Sequence, residues 1–404
     1  MTEKPAVYED LDVPVVINAT GNKTRVSGSL MRPRAADAMR EAANAFVRVS
    51  DLQAKASALI SDVTGSEAGY VTSGASAGMT LAAAACLAGT DYSKMASLPH
   101  ADDVPNEIVV PRSHRNGYDR ALAVGGAELV DVGGNDRHAG TGSENVRLWE
   151  IDAAISESTA AVAYLQTPSS APPLADVCAV AHENGVPVIV DAAAELPPST
   201  NLSRFVEDGA DIVVFSGGKA IRGPQTTGIV AGRAELIESI ALQHLDMHTA
   251  FPVWDPPAEL IDKSKLPGVP RQGVGRGFKV GKEELVGLIY ALREFLEEDH
   301  TALHAEWDER AGRIATELDR SSHLATRVEN TDTENATSTV FVSLDEQAAG
   351  LTVAELLLEL RQSDPRIFLG SDSLDSAEFT VSPMAVTDGE ADIVVRRVLE
   401  AVGG

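Results

Sequence analysis

Asp211-Ile-Val-Val-Phe-Ser-Gly-Gly-Lys219 is the stretch from which the fold is read. An apolar run of strand length ends in Ser216-Gly217-Gly218 and delivers one lysine at the turn. Lysine is scarce in this chain, 9 against 24 arginines, so a lysine just past a buried-looking strand is an unusual placement. A second run, Val186-Pro-Val-Ile-Val-Asp191, ends in a carboxylate 28 residues earlier. A strand-end aspartate paired with a strand-end lysine is what a pyridoxal 5′-phosphate site needs. The lysine amine forms a Schiff base with the aldehyde, and the aspartate keeps the pyridine nitrogen protonated so that the ring draws electrons. Taken singly, Lys219 could be solvated and Asp191 could cap a helix. A third element upstream weighs against those readings.

That element is Ala68-Gly-Tyr-Val-Thr72, read as a short strand, running into Ser73-Gly-Ala-Ser-Ala-Gly78 and an alanine-rich helix to about Leu87. Small residues let the backbone approach an anion. A helix N-terminus supplies unpaired N–H groups and a positive dipole end, so a phosphate fits there. Ser73, Gly74, Ala75 and Ser76 are the candidate cradle, and Ser216 can donate one more hydrogen bond. Small Gly/Ser loops are usually ordinary turns, but the strand–loop–helix context favours the phosphate reading here.

The remaining pattern predicts an α/β protein. Strand signals at Ile108–Pro111, Ala127–Val132, Thr159–Leu165, Val186–Val190 and Ile212–Phe215 alternate with helical ones, which argues for a parallel sheet with helices on both faces. Ligands of such sheets bind beyond the carboxyl ends of the strands. A helix is expected near Ala35–Phe46. Pro252 to Pro270, with five prolines, reads as an extended connector, followed by a helix over Glu283–Glu298. The tail pairs strands (Thr339–Leu344, Phe379–Ser382) with helices (Val353–Arg361, Ile393–Val402). The expected organisation is an N-terminal segment (1–45), a large cofactor-binding domain (46–255), and a connector with a smaller C-terminal α+β domain (256–404).

Composition bounds the function. The chain has 404 residues, 44% of them hydrophobic, enough for two domains with a sizeable core. It contains no apolar run of membrane-spanning length and no signal-peptide pattern at Met1–Pro5, so a cytoplasmic protein is expected. Its two cysteines, Cys86 and Cys178, read as buried thiols. Net charge is −27, from 60 acidic against 33 basic residues, which disfavours nucleic-acid and membrane partners and suits a surface adapted to high salt. No metal site is expected. His244/His248 and His300/His304 are i,i+4 pairs without the glutamate and third ligand of a zinc motif, and read as surface histidines. Gly273-Val-Gly-Arg-Gly277 follows the proline-rich connector rather than a strand, so it is no dinucleotide fingerprint. Gly140–Ser143 reads as a loop.

Several motifs resemble a known family. Val16-Ile-Asn-Ala-Thr-Gly21, Val71-Thr-Ser-Gly-Ala-Ser76 and Phe215-Ser-Gly-Gly-Lys-Ala-Ile-Arg-Gly-Pro-Gln225 are similar to the selenocysteine synthase-like branch of fold-type I pyridoxal phosphate enzymes. The closer likeness is to the D-glucosaminate-6-phosphate ammonia-lyases. It extends through Ser50–Gln53, His114-Arg-Asn-Gly-Tyr-Asp119 and Gly275-Arg-Gly-Phe-Lys-Val-Gly-Lys282, and covers roughly residues 14 to 300. The resemblance implies the aspartate aminotransferase-like fold and at least a homodimer. It also implies a catalytic set of Lys219, Asp191 and His114, with His114 over the cofactor ring. Ser73, Gly74, Ala75, Ser76, Ser216 and Gly218 would complete the cofactor site.

The implied activity is an ammonia-lyase acting on a small amino acid: a 2-amino-2-deoxy-sugar acid with a 3-hydroxyl loses ammonia to give a 2-oxo-3-deoxy acid. An aminotransferase, racemase or carbon–sulfur lyase on the same fold stays open, as does a non-catalytic homologue. Selenocysteine synthase itself is disfavoured by the acidic charge and by the few residues before Val16, which leave no room for an added RNA-binding domain. The substrate carboxylate should meet arginine, whose fork binds it bidentately. Candidates are Arg276, Arg271, Arg366 and Arg222, with Gln225, Arg25 and Arg115 behind them; Lys279 and Lys282 stand out only because lysine is rare.

Overall fold

The computed structural model describes residues 5–101, 103–134, 145–245, 248–271, 273–329 and 338–403. The Gly140–Ser143 loop reading lies outside these residues. In chain order the strands are β1 (Val16–Ala19), β2 (Ala68–Thr72), β3 (Glu107–Pro111), β4 (Glu128–Val132), β5 (Thr159–Leu165), β6 (Val188–Asp191), β7 (Ile212–Ser216), β8 (Gly228–Gly232), β9 (Leu324–Glu329), β10 (Thr339–Leu344), β11 (Arg366–Leu369) and β12 (Glu378–Val381). Contacts divide the chain into two units, Met31–Glu297, and Met1–Leu30 with Glu298–Gly404. Residues 256–297, grouped with the C-terminal part in the sequence reading, fall in the first of these.

The Met31–Glu297 unit is built on a seven-stranded sheet of order β2-β8-β7-β6-β5-β3-β4. The pairs from β7 to β4 are parallel, and β8 runs antiparallel to both of its neighbours. The expected mostly parallel α/β sheet is thus present. Its central strands are apolar on both faces because helices cover both. Side chains alternate: Ile189, Ile212, Val214 and Val230 pack with helices Ala75–Ala88 and Ala234–His244. Val188, Val213, Phe215 and Ile229 pack on the other side with helices Val49–Thr64, Leu174–Glu183 and Lys282–Glu297. Helix Ala75–Ala88 is buried nearly all round, as a helix without a polar stripe must be. Its alanines, and Gly78 above all, let it lie close on the sheet: a Cβ at 78 would sit 2.8 Å from Val214 Cγ1.

Two buried polar devices hold this sheet. At the N-terminal end of β7 the Asp211 carboxylate accepts bonds from the Val188 amide (2.8 Å), His182 Nε2 (2.8 Å) and Arg233 Nη1 (3.1 Å), which ties β6 to β7. On the outer edge of β2 a helix replaces a neighbouring strand. Gln53 Nε2 donates to the Val71 carbonyl (2.8 Å), its Oε1 accepts from the Val71 amide (3.1 Å), and Ser57 Oγ accepts from the Gly69 amide (3.0 Å). The i,i+4 spacing of the helix thereby matches the i,i+2 spacing of the strand, and an edge that would invite pairing is closed.

The other unit joins β1 in parallel to β11 and stacks an antiparallel sheet of order β12-β10-β9. Strand β10 alternates buried and half-buried positions, and Val340, Val342 and Leu344 reach a core shared with helices His300–Leu318, Val353–Gln362 and Asp388–Ala401. Helices Val353–Gln362 and Asp388–Ala401 each open on a capping box, Thr352/Glu355 and Thr387/Glu390. Among the described residues no helix is long and apolar enough to cross a membrane.

Gln53 is fully buried, so Gln53→Leu strands both the amide and the carbonyl of Val71. We expect a loss of about 3 kcal/mol in denaturant unfolding; a change within about 0.5 kcal/mol would contradict the assigned role.

Candidate functional site

The site is assembled where β2, β7 and β6 end. Gly228, the first residue of β8, lies between Thr72 at the end of β2 and Ser216 at the end of β7. Over it passes the turn into helix Ala75–Ala88. A Cβ at 228 would lie 2.5 Å from the carbonyl carbon of Gly74 and 2.7 Å from the Ala75 nitrogen, so only glycine admits that approach. Gly74 adopts φ +99°, a region open chiefly to glycine, and its carbonyl accepts from Thr72 Oγ1 at 2.9 Å. No side chain caps the helix. Its first amides, beside the half-buried Ser73, Gly74, Ala75 and Ser216 and the exposed Ser76, are disposed as an anion cradle.

Asp191 ends β6, opposite Leu165 and Val214. Its Oδ1 accepts from the Ala193 amide at 3.0 Å. Burial holds this carboxyl above the usual carboxylate range, against the Ala193 bond and the Lys219 ammonium, which act in the opposite sense. Aspartate and lysine, far apart in sequence, are thus within electrostatic reach of one another. The loop that carries the half-buried Lys219 is folded tightly on itself. The Gly217 amide donates to the Thr227 carbonyl (2.9 Å), Gly223 to Gly217 (2.9 Å) and Arg222 to Lys219 (3.0 Å). A Cβ at 217 would be 2.6 Å from Leu288 Cδ1, and one at the buried Gly218 2.5 Å from the Gln225 Cα. Arg222 holds φ +58°. The turn is secured by Arg32, 7% exposed, whose amide donates to the Arg222 carbonyl (2.9 Å) and whose Nε donates to Ile221 (2.8 Å).

His114 follows β3 and is buried. Nε2 lies 3.2 Å from the Ala171 carbonyl, which can only accept, so Nε2 carries the hydrogen and Nδ1 keeps its lone pair. That Nδ1 has no hydrogen-bond partner among the described residues. The ring stands edge-on to Tyr164, centroids 4.6 Å apart, and burial holds it below an ordinary histidine, hence neutral near pH 7.

Pyridoxal phosphate fits these residues on three counts. The uncapped helix start over Gly228 matches a phosphate. The desolvated Asp191 carboxylate wants a positively charged N–H partner. The orphaned Nδ1 of a buried, neutral His114 wants a donor.

The arginines are more scattered. Arg222 is half-buried in the Lys219 loop, and Arg276 is half-buried in the 3-10 turn Val274–Phe278. Arg271 is exposed, and so is Arg366, which opens β11 in the other unit. Arg115 is engaged with Asp119 and Asp131, and Arg25 is exposed. Lys282 Nζ caps the end of helix Pro33–Ala42 at the Ala42 carbonyl (2.7 Å) and pairs with Glu283. The surface reading of His244 is corrected: it is 3% exposed, because helix Ala234–His244 ends inside the core rather than on the surface. Sequence reasoning missed Gly228 and Arg32. A glycine opening the short run Gly228–Gly232 was the available signal for the first; Met31-Arg-Pro-Arg34 offers none for the second.

Gly228→Ala should lift the helix start from the sheet. We expect cofactor retention to weaken by at least about tenfold with the far-UV circular dichroism unchanged. Wild-type retention would contradict the cradle.

The chain is similar to known proteins over nearly its full length. The chain matches the aminotransferase class-V family over residues 137–250. It is 33% identical to 5′-C-glycyluridine monooxygenase-decarboxylase of a Streptomyces species, over 97% of this chain and 91% of that one. It is 30% identical to D-glucosaminate-6-phosphate ammonia lyase of Salmonella typhimurium, over 98% of each. A solved structure of D-glucosaminate-6-phosphate ammonia-lyase superposes with a TM-score of 0.80 at 29% identity, covering 99% of both chains. With strand ends, lysine loop and full-length similarity in agreement, the chain belongs to the fold-type I, pyridoxal phosphate-dependent enzymes, in the family that includes D-glucosaminate-6-phosphate ammonia-lyase.

Proposed function

We propose that this enzyme is an ammonia-lyase acting on a 2-amino-2-deoxy-sugar acid, such as D-glucosaminate or its 6-phosphate, to give a 2-oxo-3-deoxy acid and ammonia. The observation that carries the reading is the convergence of Lys219 and Asp191 at the sheet end, in a chain similar over its full length to such a lyase. When bound, pyridoxal phosphate makes the α-carbon of an amino substrate acidic by withdrawing its electrons. The protein's part is proton transfer and orientation. Asp191 would hold the ring nitrogen as its charged partner. Lys219 Nζ takes the proton from C2 and, as the ammonium, can return it to the departing 3-hydroxyl, which leaves as water. Water then re-enters at C2 as ammonia departs, so the net loss is ammonia. His114, neutral and buried, would lie against the ring of the bound cofactor and keep water from that side.

Ser73, Gly74, Ala75, Ser76, Ser216 and Gly218 are assigned to the cofactor. Arg276 is assigned to the substrate carboxylate, with Arg222, Arg271 and Arg366 as further anion contacts. The enzyme is proposed to be cytoplasmic and at least a homodimer, with the Met31–Glu297 unit as the large cofactor-binding part and the other unit as the smaller one.

A second reading is favoured by the similarity to the monooxygenase-decarboxylase. In that reading the Cα–carboxylate bond, rather than the Cα–H bond, would break to release carbon dioxide, and dioxygen would be reduced as the remaining carbon is oxidised. One experiment separates the two: incubation with D-glucosaminate and with its 6-phosphate, in high-potassium buffer with pyridoxal phosphate, reading ammonia, 2-oxo acid, carbon dioxide and oxygen. Equimolar ammonia and 2-oxo acid at constant oxygen is expected, with turnover abolished in Lys219→Ala. Carbon dioxide release with oxygen uptake would overturn the lyase reading in favour of the second. Activity retained by Lys219→Ala would overturn the assignment of the lysine.

A further inference from the structure

We infer that Tyr70 and His244 form a buried relay that positions the Val274–Phe278 turn, and through it Arg276, for the substrate carboxylate. The inference rests on the assignment of Arg276 given above. Tyr70 sits in the middle of β2, two residues before the Thr72 that flanks Gly228, and is fully buried. Its hydroxyl lies 2.9 Å from His244 Nδ1, with the two rings edge to face at 85° and centroids 5.4 Å apart. On the other side of the imidazole, Nε2 lies 2.7 Å from the Phe278 carbonyl. A carbonyl only accepts, so Nε2 carries the hydrogen; Nδ1 must then accept from the Tyr70 hydroxyl. A single tautomer satisfies both bonds, and the chain of donors runs one way, from strand through helix end to turn.

The turn's far end is held at two places, by Val280, which is 8% exposed and packed in the core, and by the Phe278 carbonyl. Its start is set by two close glycine contacts with the end of helix Ala234–His244: a Cβ at Gly273 would be 2.9 Å from the Gln243 Cα, and one at Gly275 2.9 Å from the Gln243 carbonyl. Within it, the Arg276 amide bonds to Gly273 at 3.1 Å. Gly277 and Lys279 are exposed. The Phe278 bond to His244 therefore closes the segment behind Arg276. Burial holds His244 below an ordinary histidine; the Phe278 bond opposes this, and the Arg276 guanidinium acts with burial, so ring and guanidinium lie within electrostatic reach. A tyrosine–histidine pair is a costly way to fill a core unless every polar atom is matched, and here all are. An apolar pair would pack as well without holding the turn.

The test uses the full-length holoenzyme and two readouts. Amide hydrogen exchange over residues 274–280 reads the turn with no substrate present. Steady-state kinetics with D-glucosaminate 6-phosphate reads Arg276. For His244→Leu we expect exchange in that segment to quicken by about tenfold, the scale of one buried hydrogen bond. KM should rise by a similar factor, while kcat falls less. His244→Gln, whose amide can still donate to Phe278, should recover most of both. Tyr70→Phe, which removes one hydroxyl and keeps the ring, gives a smaller change in the same direction and serves if His244→Leu does not fold. Unchanged exchange in both His244→Leu and Tyr70→Phe would overturn the relay. So would a raised KM in Arg276→Ala alongside an unchanged KM in His244→Leu. An unchanged KM in Arg276→Ala, with exchange quickened in His244→Leu, would instead overturn the assignment of Arg276 and leave the relay as a brace of the turn.

Discussion

Gly228 and Gly74 meet backbone to backbone at the end of the sheet, and no side chain larger than hydrogen fits between them. The rest of the site hangs on that approach. It seats the start of a 14-residue helix directly above the ends of β2 and β7, and it fixes where the uncapped amides point. Because β8 runs antiparallel between two strands of like direction, Thr72 and Ser216 finish side by side at its first residue. The lysine loop, which follows Ser216 directly and places Lys219 three residues on, inherits its position from the same place. A register slip of one residue would turn every side chain to the other face and dissolve the arrangement. The polar clasps at Asp211 and Gln53 guard against it, one between central strands and one along the sheet edge that a helix closes.

Electrostatics complete what packing begins. The molecule carries a net charge of −27, yet at the end of β6 a desolvated carboxylate, Asp191, lies within electrostatic reach of one of its few lysines, Lys219. Such a carboxylate is destabilised by burial unless a cation-like partner arrives, so a strained group in the protein becomes a favourable contact once a protonated ring nitrogen is beside it. Arg32 illustrates a related economy. Its side chain and amide are used on two consecutive carbonyls of the Lys219 loop, which stabilises a turn whose next residue, Arg222, occupies a left-handed conformation.

Much of this was legible in the sequence. Strand-end residues are marked by abrupt changes from apolar runs to small or charged residues, so Asp191, Lys219 and the Ser73–Ser76 loop could be placed before any coordinates. The mostly parallel sheet followed from the alternation of elements, and the family from motifs in their expected contexts. What escaped notice depended on tertiary neighbours. Strand β8 is five residues long and bounded by glycines, so its own pattern is weak. His244 is four residues from His248, a spacing that suggests one exposed face, but the helix that carries it is buried at eight of eleven positions. Gln53 looks like an ordinary polar helix residue until its amide is seen matched to Val71. Lys282 stands out in the sequence only by the rarity of lysine, and it is the cap on another helix.

The most direct test of the account is to load the protein with pyridoxal phosphate, reduce it with borohydride, digest it and locate the bound cofactor by mass spectrometry. Attachment confined to the peptide containing Lys219, and lost in Lys219→Ala, is the predicted result. Attachment at another lysine, or none at all in protein saturated with the cofactor, would contradict the site from which every other assignment follows.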